Sequence, residues 1–198
     1  MRAAAFLLLI SPVLMAQDEA FFAGNPKAVL EMTAQKLEAL KPKDAKLMAE
    51  AARLHFLAGE TREGEELVRF VELLDPKDSD IQRLMGRALL AAGRKAQALA
   101  VYDKLLARDS PSKKPAALSA IDLAEARMPK DAGRFMDAYI GMDSKDWETF
   151  VAFGRAYLKV GDRKSAAPWF HRATVLQPNE ENVFLGIGQA IADTTPRP

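Results

Sequence analysis

Residues 147–180 read WETFVAFGRAYLKVGDRKSAAPWFHRATVLQPNE, and two apolar stripes run through them. Phe150, Phe153 and Tyr157 recur at spacings of three and four before Gly161-Asp162, and Phe170 and Ala173 do so after it. That is the period of a helix with one buried face. The two stripes bury each other if the chain reverses between them, and the turn has the residues to do so. Gly161 can take the left-handed conformation that ends a helix, Asp162 can cap the next one, and Pro178 cannot continue it. Gly154 and Ala166 fall where the two antiparallel helices cross, and only small side chains let backbones come that close.

The same letters return at intervals of about 34 residues. Frames beginning at Ala45, Ser79, Lys113, Trp147 and Glu181 put Ala52, Gly86, Ala120, Gly154 and Gly188 at the small position of the first helix. Gly64, Ala98, Ala132 and Ala166 share its counterpart on the second helix, and Val68, Tyr102, Met136 and Phe170 share a large apolar position. Gly59, Gly93 and Gly161 share the turn, and Pro42, Pro76 and Pro178 share the end. In this pattern the chain resembles the tetratricopeptide repeat family over residues 26–193, most specifically over 147–180. The resemblance implies a right-handed superhelical α-solenoid of antiparallel helix pairs, whose first helices line a concave groove. The absence of alternating β-branched runs points separately to an all-α fold.

On this frame residues 17–193 form the solenoid: a lone helix over 26–41, repeats over 45–78, 79–112, 113–146 and 147–180, and a capping helix over 181–193. Residues 194–198 are a tail. Asn25-Pro26 supplies a helix start for the lone helix, which is of the second type without its partner. The capping helix, with Phe184, Gly188 and Ile191, is of the first type without its partner, and it covers the last pair. The repeat over 113–146 departs from the pattern. Pro115 stands near its start, Ser119 replaces a large apolar residue, Pro129 replaces the turn glycine, and Gly133 lies inside the second helix at about 1 kcal/mol relative to alanine. This repeat is expected to be the softest. Pro168 predicts a slight kink in the last second helix.

Met1-Arg2 precede an apolar run over residues 3–15, followed by Ala16 and the polar Gln17-Asp18-Glu19. This is the pattern of a secretory signal peptide over residues 1–16. The run falls short of the roughly 20 residues of a membrane span. Cleavage after Ala16 is expected; an uncleaved anchor is the other reading, because Leu14 is bulky for its place before the cut. An exported protein follows, periplasmic or secreted, without stable membrane insertion after cleavage. The 198 residues carry 28 basic and 27 acidic side chains, and removal of the leader takes only Arg2 from that count. A balanced charge excludes the basic excess of a nucleic-acid binder or a polybasic membrane-surface protein. There is no cysteine, so the fold rests on its packed core.

No catalytic, cofactor or metal motif stands out, and a binding module rather than an enzyme is expected. His55 takes a first-helix position held elsewhere by Leu89 and Tyr157, which makes it a packed histidine, and His171 is a surface one. Glu63, Glu65, Glu66, Glu180 and Glu181 lie in first turns, where they oppose the helix dipole. Gly186 and Gly188 follow no strand and make no dinucleotide loop. The resemblance implies that the first helices present a partner-binding stripe, and here it carries Lys46, Arg53, Arg83, Arg87, Lys114, Arg155 and Lys159 against Asp80, Glu125, Glu148 and Asp193. Two readings stay open. The bases pair with neighbouring acids on a solvated face, or they hold an acidic segment or C-terminal carboxylate of a protein partner. The asparagines of the family's chaperone-type carboxylate clamp are absent from this stripe. The expected function is an exported scaffold or adaptor that assists a cell-envelope assembly. The alternative is a structural subunit that forms homo-oligomers through its incomplete ends.

Overall fold

The computed structural model describes residues 19–74, 77–107 and 113–195. Residues 1–16 with their cleavage site, Pro76, and the tail residues 196–198 lie outside them. The described residues form eleven helices and no strand: α1 (Glu19–Gly24), α2 (Pro26–Leu40), α3 (Ala45–Ala58), α4 (Thr61–Leu74), α5 (Ser79–Ala91), α6 (Lys95–Leu106), α7 (Lys113–Glu125), α8 (Pro129–Met142), α9 (Trp147–Lys159), α10 (Arg163–Leu176) and α11 (Glu181–Thr194). The all-α expectation holds. Adjacent helices pair, α3 with α4, α5 with α6, α7 with α8 and α9 with α10. The first members also pack on one another in the order α3, α5, α7, α9, α11, forming one continuous row. Among the described residues, no close packing joins helices more than two elements apart along the chain.

The caps and turns that fix this arrangement recur with the sequence frame. Asp44, Asp78 and Asp146 cap α3, α5 and α9, accepting hydrogen bonds from Lys46 and Leu47, from Ile81 and from Thr149 N–H groups. Asp162 caps α10 through the Ser165 N–H at 3.0 Å. In all four pairs the first helix ends in the same two backbone bonds. Glu60, Arg94, Met128 and Asp162 donate to the carbonyls of His55, Leu89, Leu123 and Tyr157, five residues back. Gly59, Gly93, Arg127 and Gly161 donate to the carbonyl three residues back. This double bond pattern requires a left-handed residue. Gly59, Gly93 and Gly161 supply it at φ of 85°, 74° and 81°, and Arg127 supplies it at 57°. The third turn therefore keeps the same geometry without a glycine, at a steric cost of roughly 1–2 kcal/mol.

Between paired helices the small positions are sockets for rings. A Cβ on Gly154 would lie 2.5 Å from the Phe170 ring, and one on Gly64 would lie 2.6 Å from Phe56. Gly86 is covered in the same way by Tyr102. Gly154 thus receives the ring one turn beyond Ala166, and Ala166 is buried beside it. Phe150 and Phe153 are fully buried, as are Tyr102, Phe135 and Met136 at the centre of the molecule. Each such side chain contributes about 1.5–3 kcal/mol over an exposed one.

The N-terminal end departs from the frame. α4 and α6 touch the first helix that follows them only lightly, whereas α2 packs along α3 as closely as a hairpin partner does. Among the described residues no first-type helix precedes α3, so that side of α3 is taken by α2, and the fully buried Ala34 permits the close approach. α1, a single turn and a half before Asn25, packs on α2 and carries no helix signal that its sequence announces.

Candidate functional site

The stripe of bases lies along the row α3, α5, α7, α9, α11, and each junction in the row is bridged by charge. Lys46 on α3 donates to Asp80 on α5 at 2.9 Å, and Arg87 on α5 reaches Glu50 on α3 at 3.2 Å. Arg53 is bound to Glu50 on its own helix at 2.7 Å. Lys159 on α9 meets Glu125 on α7 at 2.7 Å, and Arg155 on α9 meets Asp193 on α11 at 3.4 Å. Lys114 makes no ion pair among the described residues. Three of these bridges, Lys46–Asp80, Lys159–Glu125 and Arg155–Asp193, are well exposed. Exposed pairs of this kind are worth about 0–1 kcal/mol, so an incoming acid can exchange for the internal one.

The α5–α7 junction is different in kind. Asp122 is buried, and both its carboxylate oxygens accept from Arg83, from Nε and Nη2 at 2.7 Å each. The Tyr102 hydroxyl donates to Asp122 at 3.2 Å, and Arg87 Nε stands 3.6 Å away. Burial pushes the Asp122 carboxyl pKa up, while Arg83 and Arg87 pull it back down. Burial also raises the Tyr102 phenol well above its ordinary value, so it is a hydroxyl donor here. Arg83 therefore belongs to the fold. Arg87 bridges the buried network and the open face, being about one third exposed.

Three clefts run along the row and share their edges. The first, about 250 Å³, is lined by Arg53, Leu57, Arg87, Leu90 and Glu125 among others. The second, about 270 Å³, shares Glu125 and adds Ile121, Glu148, Ala152, Arg155 and Lys159. The third, about 460 Å³, shares Ile121, Glu148 and Ala152 and opens onto Leu118, Lys113 and Lys114. The floor is apolar and the edges are charged. Lys113 is bridged to Asp143 at 3.3 Å, and Tyr139 donates to Asp146 at 2.5 Å at the same end. A separate cleft of about 410 Å³ lies off this row, between α4 and α6, with Arg94 over the Phe56 ring.

His55 is 3 % exposed, in keeping with a packed histidine, but both its nitrogens are engaged. Nε2 lies 2.7 Å from Glu38 on α2 and Nδ1 lies 2.5 Å from Glu60 in the α3–α4 turn. Two acceptors on one ring favour the doubly protonated imidazolium. The hydrogen bond to Glu38 raises its pKa above the ordinary 6.5, burial opposes the rise, and Glu60 adds to it. The arrangement clamps α2 onto α3.

Asp122 and Glu50 carry no motif, and one signal for Asp122 is visible in the frame. Its position is filled in the other frames by Leu54, Ala88, Ala156 and Ala190. An acid in an otherwise apolar column, with Arg83 and Arg87 in the preceding frame, marks a buried ion pair. No protein-family model matches this chain, and no curated protein matches it.

Proposed function

We propose that the protein is an exported binding module of the tetratricopeptide kind, its helix pairs wound as a right-handed superhelical solenoid. Its first-helix face takes an acidic segment or C-terminal carboxylate of a protein that belongs to a cell-envelope assembly. The continuity of the three clefts carries this reading: an extended peptide laid along them meets an apolar floor and, in turn, Arg53 and Arg87, Arg155 and Lys159, and Lys114. Arg83, locked on Asp122, shapes the floor instead of meeting the partner. Charge exchange at the exposed bridges supplies orientation and a salt-dependent on-rate. Residues 1–16 support the export half of the reading by their pattern alone.

A photo-crosslinker placed at Ala152 in the living cell tests it. It should capture one protein through an acidic segment, and Lys114→Glu with Lys159→Glu should abolish capture while the melting temperature stays within a degree or two, the usual small effect of surface substitutions. Arg155→Ala should cost about 2–5 kcal/mol of affinity where its guanidinium is desolvated in the complex. Capture that survives the charge reversals, or that moves to a crosslinker at Arg69 on α4, overturns the proposal.

A further inference from the structure

Among the described residues, α11 presents an apolar face on which no helix packs. Phe184 is 52 % exposed and Ile191 is 41 % exposed, and with Ile187 and Gly188 they lie at the i, i+3, i+4, i+7 spacing of one helical face. One flank of this face is closed, since Val183 and Ala190 are fully buried. Gly188 is the informative residue. Gly86 and Gly154, at the same position of α5 and α9, each lie beneath a ring of the following helix, whereas a Cβ on Gly188 would meet nothing within 4 Å. Here the socket exists and its ring is missing.

The filled sockets describe what fits the empty one. Tyr102 and Phe170 reach the glycines from helices that bury an alanine, Ala98 or Ala166, four residues earlier. Charge narrows the choice. α11 and its cap carry Glu180, Glu181 and Asp193 with no lysine or arginine, whereas α10, the helix over Gly154, carries Arg163, Lys164 and Arg172 with no acid. A second copy of α11 would bring the same acids, Glu180 and Glu181, and no lysine or arginine to meet them, whereas a basic helix would meet both.

We propose that the outer face of α11 is a docking site for one helix of a partner protein, an amphipathic basic helix with a small residue followed four positions later by an aromatic one. It completes a helix pair at this end of the row, apart from the clefts. The probe is a fluorescein-labelled peptide of residues 162–177, which has that pattern, titrated into the full chain and followed by anisotropy. Saturable binding is expected, weakened about tenfold or more by Gly188→Leu, which fills the socket at its centre. Because the position is open, this variant should melt no lower than the parent. Phe170→Ala in the peptide should weaken binding similarly, and Glu181→Lys in the chain should weaken it less. Absence of saturable binding, or equal affinity for the Gly188→Leu variant, overturns the proposal. So does a reversible dimer of the full chain that sedimentation shows and Gly188→Leu abolishes, since the socket would then belong to a second copy.

Discussion

The α9–α10 pair is closed by rings, and its neighbour, the α7–α8 pair, is tied to the rest of the row by a buried charge. In the first, Phe153 meets Tyr157 edge-on at 5.1 Å and Trp169 at 4.6 Å, with Phe170 seated on Gly154. In the second, α7 puts Ser119 and Asp122 into the interior. The Ser119 hydroxyl donates to the Pro115 carbonyl at 2.8 Å, and Asp122 is forked by Arg83. Rings contribute in proportion to the area they bury and lose stability by degrees as they are trimmed. A buried ion pair is close to all-or-none, because loss of one partner strands the other charge. The pair that local propensity marks as soft is therefore the one least tolerant of a single polar substitution.

Asp122→Ala should have the largest effect, a loss of about 3–5 kcal/mol in urea unfolding, as for other broken buried pairs. Pairing Arg83→Met with Asp122→Leu should restore most of that loss. A loss below about 1 kcal/mol for Asp122→Ala, the range of a surface pair, would mean that the junction is solvated and the contrast is void. Next in size, one-methyl changes at two glycines should have opposite signs. Gly154→Ala forces its methyl against the Phe170 ring and should cost about 1–3 kcal/mol. Gly133→Ala on α8 has open space and should gain about 1 kcal/mol from helix propensity. Equal losses at both would show α8 to be packed as tightly as α9.

The extent to which this was legible in the sequence follows the range of the interactions. Stripes, caps and turns are local, so Asp162, Gly161 and the 34-residue frame could be read from letters a few places apart. The Arg83–Asp122 pair spans 39 residues and depends on how α5 and α7 are set against each other. Position alone put Arg83 beside Arg53, Arg87 and Arg155 on the candidate face, and only the packing separates it from them. The face itself was legible and its pairing was not, since Asp80, Glu125 and Asp193 appear in sequence as opposing charges and in space as the partners of Lys46, Lys159 and Arg155. Arg127 shows the other limit. The turn bonds select its left-handed backbone, although glycine is the residue that letters announce there. At α2 the close packing along α3 is one that no property of residues 26–41 encodes.

The smallest effect should come from His55, outside both pairs, and it sharpens the contrast by supplying a charge-closed junction that responds to pH. Its folded pKa lies above the unfolded 6.5, so its contribution is fully present below that value and is lost as pH rises through the raised one. The difference in urea midpoint between the parent and His55→Gln should shrink as pH is raised across that window. A difference that stays constant or grows would show that the ring packs as a neutral group. Glu38, Glu60 and the nearby Glu63 are the acids that face it.

Because close packing among the described residues reaches no further than the next-but-one helix, the entropy lost in bringing contacts together is that of closing segments about one repeat long, never that of the whole chain. Assembly can start at any pair and spread to either side without waiting for the two chain ends to meet. Chains with such local contact patterns cross their folding barrier in about microseconds to milliseconds. A nascent chain could thus order each helix pair soon after its last residue is made, and damage at one end would leave the far end able to fold.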